Sequence, residues 1–256
     1  MKRGILYLKW KAVNNITANR EDIQHRVIRA AIKSGRNPDD VKILLATKTV
    51  SVENIKSAFI AGLNIVGENK VQELKAKYDY LASDNTEMHF IGHLQTNKIK
   101  DVLKYASCIQ SVDRPDLIEK LDQRLQYEGR KINIMMQVNT SYEESKFGIS
   151  PENALSLAKM VSKYDTLNVT GLMTIGLFSK DINKVRKCYQ LLKNLQLQVQ
   201  ELGLVNFTGN ELSMGMSNDF EIAIAEGATM IRVGTAIFGD RIYPDSYYWN
   251  EQKDLK

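Results

Sequence analysis

Eight short apolar runs, each followed by an amphipathic run with almost no linker, constrain this 256-residue chain more than any other feature. The strand-like runs fall at 42–48, 65–69, 88–92, 108–112, 132–139, 168–175, 210–214 and 230–234. Each is long enough for a buried strand and too short for a helix. Helical spacing fills the gaps at 51–63, 71–81, 97–105, 114–127, 151–164, 181–202 and 219–226, and one more helix, 15–34, precedes the first strand. Pro115 and Pro151 stand near helix starts, and Gly62, Gly203 and Gly227 just past helix ends, where each residue type is favoured. Strands alternating with helices predict a parallel sheet. Closing that sheet as a (β/α)8 TIM barrel uses nearly the whole length as one domain. The expected fold class is α/β, a single barrel with an extra N-terminal helix. The alternative, an open doubly wound sheet, usually carries a glycine-rich fingerprint after its first strand; here that strand ends in Lys-Thr-Val-Ser-Val.

Composition narrows the function. The net charge of +5 is spread among both signs, which predicts a solvated surface and no nucleic-acid platform. No stretch approaches the roughly 18 consecutive apolar residues of a membrane span. Cys108 and Cys188 lie 80 positions apart without metal-ligand spacing, so free thiols in a reducing, cytoplasmic setting are expected. The first twenty residues are basic and contain no acid. Their short apolar core and lack of a small-residue cleavage pattern favour an extended start to the first helix over an organelle-targeting segment. Residues 1–14 are read as a basic extension, 15–243 as the barrel and 244–256 as a tail.

In such a barrel the functional residues lie at the carboxyl ends of the strands. Lys48 closes the first strand, where an unpaired buried ammonium is costly. An amine held at a barrel mouth can form a Schiff base with an aldehyde. The second strand ends in Gly67-Glu68-Asn69, the third in Gly92-His93-Leu94-Gln95, the fourth in Ser111 and Asp113, the fifth in Asn139, and the sixth in Met173 and Thr174. The seventh and eighth end in Met216-Ser217 and Gly234-Thr235, a pairing expected of an anion site with its backbone amides turned to the mouth. Taken alone, Ser217 or Asn218 reads equally as a helix N-cap. Arg232 lies inside the apolar eighth strand. It serves either an ion pair with a barrel carboxylate or a hydrogen bond to a ring nitrogen, which a permanently protonated guanidinium can donate. An aldehyde, a ring nitrogen and a phosphate together describe pyridoxal 5′-phosphate (PLP), with Asn69 placed to bond its phenolic oxygen.

The chain resembles the pyridoxal phosphate homeostasis proteins. The matching segments are LLATKTVS, VGENKVQE, HFIGHLQTNK, ESKFGI, GLMTIG, LSMGMSNDFEIAIAEGATMIRVGTAIFG and the closing Asp240-Arg241. In this order they are specific and span nearly all of the expected barrel. The resemblance implies a barrel like the amino-terminal domain of alanine racemases without their second domain. It implies PLP held as an internal aldimine on Lys48, with binding positions at Asn69, Met216, Ser217, Arg232, Gly234 and Thr235. It also implies a role in intracellular PLP homeostasis without established catalysis, with apo PLP-dependent enzymes as candidate partners; a barrel without the dimerising second domain is expected to be a monomer. Two positions depart from the family pattern: Lys70 stands where tyrosine is usual, and Met88 where tryptophan is frequent.

The alternative function is a PLP-dependent amino-acid racemase of the alanine racemase type. Racemisation needs acid–base groups on both faces of the substrate carbon. Lys48 serves one face, and Tyr142 and His93 are the candidates for the other, against their plainer reading as rim and packing residues. Lys146, after the fifth strand, either shapes the turn before Gly148 or offers a second amine to the aldehyde.

Overall fold

The computed structural model describes residues 2–83 and 85–239, with side chains from residue 15. The Asp240-Arg241 pair and the 244–256 tail lie outside the described residues. Eight parallel strands close into a barrel in chain order, and the last pairs with the first. They are β1 (Lys42–Ala46), β2 (Ile65–Glu68), β3 (Glu87–Phe90), β4 (Cys108–Val112), β5 (Ile132–Gln137), β6 (Leu167–Met173), β7 (Phe207–Met216) and β8 (Met230–Val233). Closure rules out the open doubly wound sheet.

The outer ring holds α2 (Val52–Ile60), α3 (Val71–Leu81), α4 (Ile99–Tyr105), α5 (Pro115–Glu128), α6 (Ala154–Val161), α7 (Ile182–Glu201) and α8 (Phe220–Ala225). Local chemistry sets their ends. Ser51 caps α2 through the Asn54 amide, and Asp181 caps α7 through the amides of Asn183 and Lys184. Gly62, Gly203 and Gly227 adopt positive φ of 88°, 59° and 105°, as their places after helices require. The first helix, α1 (Lys2–Lys33), begins upstream of residue 15, so the basic start extends it as expected. It closes the ring over the β8–β1 seam. Arg26 pairs with Glu221 at 2.7 Å, and Arg36 donates to the carbonyls of Ile224 and Ala228 at 2.8 Å. A short α9 (Thr235–Phe238), for which the sequence reading placed no element, follows β8, and Asn19 bonds its Ile237 carbonyl.

Strand alternation separates two cores. Leu44, Ile65, Cys108, Met135, Met173 and Met230 pack together, one from each of six strands, so they fill the lumen. Their strand neighbours, such as Leu45, Val66, Ile109, Met136, Leu172 and Ile231, belong to the larger core between sheet and helices. β7 starts three residues earlier than predicted. The sequence places Gly209 outside the strand, yet a Cβ there would lie 2.1 Å from the Thr170 carbonyl oxygen. Only glycine allows β6 and β7 to approach so closely at this point.

Candidate functional site

Lys48 follows β1 by two residues, and the alternation of Leu44 and Ala46 carries it to the lumen side. It is buried, with 8% of its surface exposed. The turn that places it is tied from behind. Thr47 Oγ1 donates to Glu68 Oε1 at 2.6 Å, and Lys77 of α3 donates to the Thr47 carbonyl at 2.8 Å. Lys77 also pairs with Glu68 at 2.7 Å and Glu73 at 2.8 Å, while Glu73 accepts the Thr49 amide at 2.7 Å. Thr49 is held at φ 65°, a conformation that costs a non-glycine residue about 1 kcal/mol or more. Burial pushes the Glu68 carboxyl up to about 7, against the opposing pull of Lys77. This cluster was not legible as a unit, because α3 contributes two of its members from outside the strand ends.

Asn69 follows β2 at the same mouth. A Cβ on Gly92 would sit 2.0 Å from the Asn69 carbonyl oxygen, so glycine at 92 lets the two strand ends meet. Arg232 rises from β8 into the lumen. It donates to Ser213 Oγ at 2.8 Å and to the Thr174 carbonyl at 2.7 Å. Among the described residues no carboxylate forms an ion pair with it. Burial lowers its pKa, with Tyr189 and Asp219 opposing. The ion-pair reading of Arg232 therefore gives way to neutral acceptors.

Near its end β7 turns sharply at Gly215, φ 91°, where a Cβ would lie 2.5 Å from that of Ala223. Asp219 caps this turn by accepting the Met216 amide at 2.6 Å, and its other oxygen takes the Tyr189 hydroxyl proton at 2.8 Å. Asp219, not Ser217 or Asn218, is the N-cap residue of α8. The Ser217 hydroxyl instead reaches across to β8 and accepts the amides of Gly234 and Ala236, each at 3.3 Å. Met216, Ser217, Gly234 and Thr235 thus come together, as their positions in the chain predicted. Two of their amides already have partners within the protein.

The other strand-end residues do structural work. Asn139 accepts no ligand-facing role: its side-chain amide bonds the carbonyls of Glu143 and Lys146. Asp113 pairs with Arg114 at 2.9 Å and accepts the Gly148 amide at 3.2 Å. Lys146 donates to the Gly176 carbonyl at 2.7 Å and pairs with Glu143. Tyr142, exposed at the rim, donates to Glu152 at 2.8 Å, and His93 stacks on Phe147 with ring centroids 3.8 Å apart. Sequence reasoning missed His89 and Gln110, which line the lumen. The signal for His89 is a polar residue between the apolar Met88 and Phe90; Gln110, followed by Ser111, carries no such mark.

Comparison with known proteins defines the class first. The family model for the alanine racemase N-terminal domain matches residues 14–242. A protein of Aquifex aeolicus named pyridoxal phosphate homeostasis protein is 38% identical over 86% of this chain and 96% of its own length. Its namesake from Haemophilus influenzae is also 38% identical, over 91% of this chain and 98% of its own. The solved structure of PipY from Synechococcus elongatus with PLP bound has a TM-score of 0.73 and 30% identity, covering 84% of this chain and all of that one. The chain belongs to the pyridoxal phosphate homeostasis protein family, built on the alanine racemase N-terminal domain barrel.

Proposed function

We propose that this protein binds PLP at the carboxyl mouth of its barrel and serves PLP homeostasis as a carrier, without turning over amino acids. The observation that carries this is the pairing of a buried lysine after β1 with a buried arginine on β8 that has no carboxylate partner among the described residues. The donor set fits a phosphorylated pyridine aldehyde. When bound, PLP would supply an aldehyde carbon able to join an amine. Lys48 is the amine, and the Thr47–Thr49 turn aims it. Arg232 would donate to the ring nitrogen and, staying charged, discourage that nitrogen from taking a proton. Asn69 would bond the phenolic oxygen. Ser217, Gly234 and Thr235 would donate to the phosphate; the 3.3 Å contacts between the Ser217 hydroxyl and the Gly234 and Ala236 amides are weak enough to exchange for charge-assisted ones. Met216 contributes by holding the turn, its amide being committed to Asp219.

The racemase alternative has less support. Tyr142 is bonded to Glu152, which raises its pKa, and His93 is stacked against Phe147. Neither offers an evident acid or base to the second face. Two buried free thiols, Cys108 and Cys188, fit a cytoplasmic protein, and among the described residues no helix is long and apolar enough to cross a membrane. Incubation of the PLP-loaded protein with D- and L-alanine tests the carrier role. No interconversion is expected, and turnover at about 1 per second or faster, an ordinary enzymatic rate, rejects it.

Lys146 remains a candidate second amine for handing the aldehyde on. Its bonds to Gly176 and Glu143 also suit a turn-shaping residue. Release of PLP to an apo-enzyme from Lys146→Ala separates the two. Slower release supports the relay, and unchanged release assigns Lys146 to the turn.

A further inference from the structure

A line of hydrogen bonds runs through the lumen from Arg232 to the amino-terminal end of the barrel. Arg232 Nη1 donates to Ser213 Oγ at 2.8 Å, and Ser213 Oγ donates to Gln110 Oε1 at 2.7 Å. Gln110 Nε2 lies 2.7 Å from His89 Nδ1, and His89 Nε2 lies 3.3 Å from Glu87 Oε2. The members come from β8, β7, β4 and β3. Ser213 and Gln110 are fully buried, His89 is 3% exposed, and Glu87 lies at the open end of the line.

The two ends fix the direction of every bond between them. A guanidinium only donates. Glu87 only accepts while ionised, and the hydrogen bond from His89 holds its carboxyl below the usual range. Ser213 has one proton and two lone pairs; with the Gln110 carbonyl oxygen 2.7 Å away it gives the proton there and accepts from Arg232. Gln110 then turns its NH2 toward His89, and its second hydrogen meets Met230 Sδ at 3.2 Å. His89 Nδ1 must therefore be a bare lone pair, which leaves the imidazole proton on Nε2, facing Glu87. Turning the Gln110 amide over would bring its NH2 against Ser213 and require the proton on His89 Nδ1, leaving Glu87 facing a bare Nε2 and the Ser213 proton without the Gln110 carbonyl.

We propose that Glu87, His89, Gln110 and Ser213 are positioning residues for Arg232, a role that rests on the ring-nitrogen contact proposed above. They keep Ser213 an acceptor, so the guanidinium is anchored on its lumen side and presents its remaining N–H bonds toward the mouth.

The test uses protein loaded with PLP or with its 1-deaza analogue, in which a CH replaces the ring nitrogen. Release of each compound is followed by its absorbance. His89→Phe and Ser213→Ala are expected to speed PLP release about tenfold, the equivalent of one hydrogen bond to a charged group. Release of the deaza analogue should change less than about twofold on the same grounds. Equal acceleration of both compounds marks a merely structural role and overturns the proposal. Arg232→Gln is the control for the contact itself. If it discriminates between the compounds and the lumen variants do not, the relay is wrong and the ring-nitrogen contact stands. If Arg232→Gln does not discriminate either, the contact fails and the positioning role with it. Histidine-labelled wild-type protein gives a measurement independent of any variant's folding. Long-range nitrogen–proton NMR should show His89 protonated at Nε2 alone, and a proton on Nδ1 overturns the proposal.

Discussion

Lys48→Ala protein, treated with borohydride in the presence of PLP, should carry no cofactor-derived mass, while the wild-type chain gains it on the peptide containing residue 48. Borohydride reduces a carbon–nitrogen double bond to a stable amine, so the mass records where the aldehyde was attached. The variant removes the amine but leaves Arg232, Asn69 and the Ser217–Thr235 cradle in place. Its affinity for PLP should fall by about a hundredfold, equivalent to roughly 2.7 kcal/mol, and inorganic phosphate should compete for what remains. Alanine at 48 fills less of the mouth without adding charge, so folding is expected to survive, which circular dichroism can check. Label appearing on another lysine in wild-type protein would remove Lys48 from its assigned role. Label on Lys146 alone would move the chemistry to the loop after β5.

Lys77→Met should cost about 3 kcal/mol of stability at pH 8, the lower end of what removing one partner of a buried ion pair costs. Glu68 is 1% exposed and, with methionine at 77, faces no cation among the residues described in this cluster. The pH dependence distinguishes this from simple loss of packing. Glu68 titrates at about 7 in the folded protein against an ordinary 4.5. The folded state therefore binds more protons than the unfolded state between those values, and stability falls as pH rises through that window. Without Lys77 the folded carboxyl titrates higher still, so the deficit of the variant should keep growing above pH 7. It should shrink by more than half at pH 5.5, where Glu68 holds its proton in both proteins. Urea denaturation followed by circular dichroism at the two pH values measures this directly. A deficit that does not vary with pH would show that Lys77 acts only by packing. The variant should also release PLP faster at pH 8, because Lys77 ties down the Thr47 carbonyl next to Lys48.

Much of the site was legible because a barrel gathers the carboxyl ends of its strands into one place. Once eight strands could be counted, Lys48, Asn69, Ser217 and Thr235 had to share a mouth, whatever lay between them in the chain. Strand boundaries were less legible. The ends of β1, β2 and β3 fall one to three residues before the polar residue that marks them, because the chain leaves the sheet to aim that residue. Gly209 hid the start of β7, since a glycine inside a strand reads as an interruption when the close neighbour that requires it is unseen. Arg232 was recognised as unusual, but its ion-pair and ligand readings could be separated only by seeing which groups surround it.

The order of apolar and amphipathic runs determined the barrel, because period-two and period-3.6 patterns are local properties that each segment carries by itself. The same order placed a lysine, an arginine and two glycine-flanked amide pairs at one end. Tertiary structure alone decided how those groups are held. Lys77 reaches Thr47 across 30 positions, Ser217 reaches Gly234 across 17, and Gln110 reaches Ser213 across 103. Hydrogen-bond direction depends on which partner stands opposite, and no spacing along the chain encodes that.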